Sequence, residues 1–171
     1  EYMDSPYNHA YIASSIGGNW ALSNPEAAAD WVASLPKEVR DRSMDEVFES
    51  WADINPAEAA KNIDLATDGK ARSEAIESVA RRWARRDPKA SIEWASSLTG
   101  EDRSVAMKNT MRGWTEEDPD GAVDYLASIQ DEKLHKEAST MVAYTWARSN
   151  PKQAAEWMQS MPEGDAKNSS Y

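Results

Sequence analysis

A tryptophan followed five residues later by a proline occurs five times in this chain at nearly even spacing, and that regularity decides most of what the chain can fold into. The tryptophans are Trp20, Trp51, Trp83, Trp114 and Trp146, at steps of 31, 32, 31 and 32 residues. The prolines are Pro25, Pro56, Pro88, Pro119 and Pro151, and directly before them stand Asn24, Asn55, Asp87, Asp118 and Asn150. A fixed period of this length marks a stacked repeat array, in which no unit can bury its apolar face alone.

The Asx-Pro pair has a local meaning. An Asn or Asp at the helix N-cap accepts a hydrogen bond from an amide of the first turn that would otherwise have no partner, and proline at the first helical position has no amide to leave unpaired. The residue before a proline is also pushed out of the α region, so the helix carrying the tryptophan must stop there. One dipeptide therefore ends one helix and begins the next.

Apolar spacing then fills in the helices. After each proline a short stripe follows: Ala28, Trp31, Val32 and Leu35; Ala59, Ile63 and Ala66; Ser91, Trp94, Ala95 and Leu98; Ala122, Tyr125, Leu126 and Ile129; Ala154, Trp157, Met158 and Met161. These intervals of three and four residues place each set on one helix face. Turn signals follow at Pro36-Lys37, Asp68-Gly69, Thr99-Gly100, Gln130-Asp131 and Glu163-Gly164, and after each but the last a longer helix runs to the next tryptophan. Its buried face reads Met44, Val47, Phe48 and Trp51, then Ile76, Val79, Ala80 and Trp83, then Met107, Thr110, Met111 and Trp114, then Ser139, Val142, Ala143 and Trp146. The expectation is an all-α solenoid of stacked antiparallel helix pairs, with about ten helices beginning near residues 5, 25, 38, 56, 70, 88, 101, 119, 131 and 151.

Residues 1–161 are expected to form a single helical-repeat domain, and 162–171 a loose tail or the start of a truncated next unit. Neither end of the chain falls on a unit boundary, which suggests a window cut from a longer array. Any signal or anchor segment is then expected to lie outside these residues. The first helix carries Ile12, Ala13, Ile16 and Gly17 on the face of Trp20 and serves as an end cap. Gly17-Gly18 costs it about 1 kcal/mol per glycine relative to alanine, so a frayed or bent helix is predicted. An incomplete terminal unit leaves an apolar stripe bare, and end-to-end self-association is expected of it.

Composition narrows the functional classes. The formal net charge of -11 disfavours nucleic acid and anionic membrane and favours basic partners. There is no cysteine, which removes thiolate metal sites, disulfides and cysteine nucleophiles. No apolar run is long enough to insert across a bilayer. The two histidines, His9 and His135, are four repeats apart and suit neither a zinc site nor a catalytic triad. Carboxylates are plentiful, but clusters such as Asp41, Asp45, Glu46 and Glu49 fall off the apolar stripes, where a solvated charged face is expected. No catalytic, cofactor-binding or metal-binding residues are assigned, and no cofactor is expected.

Paired helices at this period, a proline leading the short helix, an aromatic six residues after it and alanines near the seam resemble the tetratricopeptide-like helical repeats over residues 12–161. The closer likeness is to bacterial proteins with tandem W-A-x-x-D/N-P-x-x-A-x-x-W units. The period is shorter than the 34 residues of the tetratricopeptide unit, and Leu35, Leu98 and Met161 stand where that unit has a glycine. The resemblance implies a right-handed superhelix that binds other proteins and has no activity of its own.

Two irregularities single out candidate partner-binding residues. Arg81, Arg82, Arg85 and Arg86 surround Trp83 and form a basic island in an acidic chain. Helix-dipole complementarity accounts for part of it, and the rest is expected to meet an acidic partner segment or an acidic face of a neighbouring unit. Asn62 stands where the other short helices carry Trp31, Trp94, Tyr125 and Trp157, leaving either a polar notch or a site that Ile63 and Leu65 repack, the second being favoured. The function expected is a non-catalytic scaffold for a protein or peptide partner. The alternative is a carbohydrate-binding or carbohydrate-processing module using exposed aromatics and carboxylates.

Overall fold

The computed structural model describes residues 6–67 and 69–160. Among them are ten α-helices and no strand: α1 Pro6–Ala21, α2 Pro25–Ala33, α3 Lys37–Ile54, α4 Pro56–Lys61, α5 Gly69–Ala84, α6 Pro88–Ser97, α7 Gly100–Glu117, α8 Pro119–Leu126, α9 Glu132–Ser149 and α10 Pro151–Ser160. A 3-10 turn, Ile63–Leu65, follows α4. The chain divides into two compact units, Glu1–Trp83 and Ala84–Tyr171. Within each, helices pack against their neighbours in sequence order and long helices pack on the next long helix, as α1 does on α3 and α7 on α9. The protein has an all-α helical-repeat fold.

Each Asx-Pro corner forms as its chemistry dictates. The side-chain oxygens of Asn24, Asn55, Asp87, Asp118 and Asn150 accept from the amides of Ala27, Glu58, Ala90, Gly121 and Gln153 at 3.0–3.3 Å. At the corners of Asn24, Asn55, Asp118 and Asn150 the same residue also closes the preceding helix. The amides of Asn24, Asn55, Asp118 and Asn150 donate to the carbonyls of Trp20, Trp51, Trp114 and Trp146 at 2.7–2.9 Å. Replacing such a cap by alanine removes about 1 kcal/mol from a helix start.

In the first unit the packing of α1 on α3 depends on a close approach. A Cβ added at Gly17 would lie 2.9 Å from Val47 Cγ2 and 3.0 Å from Val32 Cγ2. Ser14 Oγ donates to the Arg42 carbonyl at 3.0 Å, and Ser43 Oγ donates to the Val39 carbonyl at 2.8 Å. Of the expected fraying or bending, no fraying is seen at Gly17-Gly18: α1 is helical without a break from Pro6 to Ala21. The glycine spends helix propensity on backbone proximity, and packing, the larger effect, wins.

In the second unit Met111, Ala122, Leu126, Ala138 and Val142 form a buried cluster, with Trp114, Val123, Tyr125, Ile129 and Trp157 packed against it. Ser91 Oγ and Thr110 Oγ1 are buried 2.7 Å apart between α6 and α7, so two hydroxyls on the apolar stripes satisfy each other. At the turn into α7, Gly100 has φ +57°, a left-handed conformation that glycine adopts without a Cβ penalty.

In the unit with Asn62 the short helix ends early, with Ile63 buried and Leu65 half-buried. Helix α4 stops at Lys61, Asn62 caps it, and the Asn62 amide donates to the Glu58 carbonyl at 3.0 Å. Ile63 and Ala66 are buried, and Arg72 of α5 secures the turn by donating to the Ile63 carbonyl at 3.2 Å and pairing with Asp64 at 2.9 Å. The expected turn residue Asp68, the stripe residue Met161 and the tail 162–171 lie outside the described residues.

Candidate interaction surface

The tryptophans, the most conspicuous candidates for a binding strip, mostly face one another or the core. Trp20 meets Trp31 at 6.2 Å, Trp114 meets Tyr125 at 5.5 Å and Trp146 meets Trp157 at 5.9 Å between ring centroids, each pair tilted across an Asx-Pro corner. Trp51, which is followed by Asn62 where the other units carry an aromatic, stacks on Phe48 of its own helix at 5.7 Å. Burial is less complete than a purely internal role implies. Trp51 and Trp146 are buried, while Trp20 is 39% exposed and the other five are half-covered.

The basic island divides its work inside the fold. Arg82 pairs with Glu49 and Asp53 of α3, the neighbouring acidic face, and Arg85 pairs with Glu117 at the end of α7 at 2.9 Å. Two arginines are thus engaged by the acidic face of an adjacent long helix, one in each unit. Arg81 is half-buried and Arg86 exposed, and among the described residues neither has an ion pair. Asn62 is half-buried with its amide turned back onto α4.

Grooves between consecutive long helices are the concavities that the sequence did not point to. In the second unit, a groove of about 530 Å³ between α7 and α9 is lined by Glu101, Ser104, Val105 and Lys108 on one side and Lys133, Lys136, Glu137 and Thr140 on the other. Each set stands thirteen, ten, nine and six residues before its tryptophan, Trp114 or Trp146, so the repeat register builds the site. Lys133 and Glu137 pair along α9 at 3.9 Å. In the first unit, the groove between α1 and α3 is about 430 Å³ and nearly uncharged, lined by Tyr11, Ser14, Ser15, Gly18, Asn19, Leu22, Glu46 and Ser50. Tyr11 is 75% exposed there. Counting positions back from Trp114 and Trp146 would have paired the two walls of the α7–α9 groove, but that pattern lacks an apolar stripe and so gives no periodic signal.

Among the described residues no group of three or more His, Asp or Glu is placed to hold a metal ion, and no helix is long and apolar enough to cross a membrane. Comparison with protein-family profiles, with curated proteins and with solved structures finds no match.

Proposed function

We propose that this chain is a non-catalytic helical-repeat scaffold, tetratricopeptide-like in design, that holds a protein or peptide segment along the grooves between successive long helices. One observation carries the reading: a groove opens between paired long helices in each unit, lined by Tyr11, Ser15, Asn19 and Leu22 in one and, at largely different repeat positions, by Lys108, Lys133, Lys136 and Glu137 in the other. A constant backbone with variable exposed side chains suits selection of a partner by many modest contacts on a preorganised surface. Nucleic acid is not the expected ligand, because a net charge of -11 opposes a polyanion.

A photo-crosslinking residue placed at Ser104 or Thr140 tests this. Discrete protein adducts should form, weaken when Lys108 and Lys136 are changed to Glu, and be absent when the same group sits at exposed Glu26 on α2. Glycan-array binding that disappears with Tyr11→Ala would replace the scaffold by the carbohydrate reading, for which the exposed Tyr11 is the supporting feature.

A further inference from the structure

The groove between α7 and α9 departs from the rest of the chain in charge. Three lysines, Lys108, Lys133 and Lys136, line it against two glutamates, Glu101 and Glu137, in a chain whose formal net charge is -11. A smaller pocket shares Ser104, Lys133 and Glu137 with it and adds Arg103 and Asp131. The repeat register shows that two of the lysines are not part of the common design. Six residues before the five tryptophans stand Ser14, Asp45, Glu77, Lys108 and Thr140, and ten residues before them stand Ala10, Asp41, Ser73, Ser104 and Lys136. Lys108 and Lys136 are each the one basic residue in their set, and the fold brings them to opposite walls of the same groove.

The lysines differ in what they meet. Lys133 pairs with Glu137 one turn further on at 3.9 Å, as Lys70 pairs with Glu74 at the same two positions of α5 at 3.4 Å. That pairing is ordinary helix-surface chemistry and needs no ligand. Lys108 and Lys136 are exposed, and among the described residues neither has an ion pair. On the α9 wall the Thr140 hydroxyl donates to the Lys136 carbonyl at 2.8 Å, which leaves the Lys136 ammonium group uncommitted. Val105 is half-buried on the α7 wall, and the lysine stems add apolar area to it. The groove therefore offers two uncommitted cations and an apolar surface.

We propose that this groove takes an acidic peptide segment, whose carboxylates are held by Lys108 and Lys136 and whose apolar side chain rests on Val105. The inference rests on the groove being the binding surface and adds the chemistry of its occupant. At this site it reverses the preference for basic partners that the net charge implies. Repulsion from the rest of the chain is screened over about 8 Å at physiological ionic strength, whereas an ammonium group in contact with a carboxylate acts inside that distance. A few carboxylates can thus be held where an extended polyphosphate is repelled. Lysine ammonium groups act as point charges without the planar fork of arginine, so the groove selects negative charge more than the shape of the group that carries it.

The test is fluorescence anisotropy with the whole 171-residue chain at physiological ionic strength, using a labelled peptide of Glu-Glu-Leu repeats and its Gln-Gln-Leu counterpart. The acidic peptide should bind at least about tenfold more tightly than the neutral one. Lys108→Gln/Lys136→Gln should remove that difference, and Lys108→Arg/Lys136→Arg should keep it. Lys70→Gln/Lys152→Gln changes the net charge equally at exposed lysines of α5 and α10 and should leave it unchanged. Circular dichroism checks each fold, and the single changes Lys108→Gln and Lys136→Gln replace the double variant if it fails to fold. Equal affinity for the two peptides, a preference that survives loss of both lysines, or one that falls as far in the control variant would overturn the proposal. So would displacement of the acidic peptide by single-stranded RNA at matched charge, which would make the groove a general polyanion site. Failure here is separable from failure of the groove reading. Crosslinked adducts at Ser104 that map to segments poor in Asp and Glu would overturn the acidic occupant and leave the scaffold standing, whereas no adducts at either Ser104 or Thr140 would remove both.

Discussion

At the residue scale the two adjacent glycines of α1 have opposite roles. Gly17 sits under Val47 and Val32 with no room for a methyl group, whereas the nearest atoms to a Cβ at Gly18 are Glu46 Cβ and carbonyl at an ordinary 3.5 Å. Gly17→Ala should therefore destabilise the fold by about 1–3 kcal/mol through overpacking, despite better helix propensity. Gly18→Ala should be neutral or stabilising by up to about 1 kcal/mol, and urea melts of the two variants give the comparison. The sequence showed a weak dipeptide in a helix but not which glycine touched a neighbour. Ser91 and Thr110 repeat the lesson. Each was legible as a small residue on a buried stripe, but their mutual hydrogen bond depends on how two helices meet. Removing one hydroxyl alone, as in Ser91→Ala, should cost about 1–3 kcal/mol, while Ser91→Ala/Thr110→Val should cost less than the two single changes summed, measured as a double-mutant cycle.

At the element scale the stability of a corner depends on what its aromatic rings cover. Trp51 is 2% exposed and stacked on Phe48, and Trp51→Ala should cost about 3–5 kcal/mol. Trp20 is 39% exposed although it meets Trp31. Trp20→Ala should cost roughly half as much, about 1.5–2.5 kcal/mol, because less apolar area leaves water when it folds. Thermal unfolding of both variants separates the two. Sequence spacing placed both tryptophans on the same face and ranked them equally. It also placed Asn62 among aromatics, where only the three-dimensional arrangement shows that Phe48, one turn back on α3, supplies the ring that the next short helix lacks.

At the scale of the whole molecule, a chain with formal net charge -11 repels itself, and its internal ion pairs offset only part of that. Arg82 with Glu49 and Asp53, and Arg85 with Glu117, bind the acidic faces of long helices to arginines of their neighbours. Salt weakens such partly exposed pairs and screens the overall repulsion at once, and the large excess of like charge makes screening the dominant effect. The melting temperature should rise between low and moderate ionic strength, as read by circular dichroism at one protein concentration, whereas Arg82→Ala should lower it by the equivalent of about 1 kcal/mol. The sequence by itself determined the helices, their corners and their period. Asx-Pro chemistry is local, and a stripe of apolar residues every three or four positions needs no partner to be recognised. Only the tertiary structure decided that Arg82 and Arg85 of the basic island are committed to neighbouring helices, that paired long helices leave grooves between them, and that Ile12 and Ile16 lie open to water. Each of those facts depends on which surfaces come together, and a repeat writes the same letters whether or not a neighbour is there to cover them.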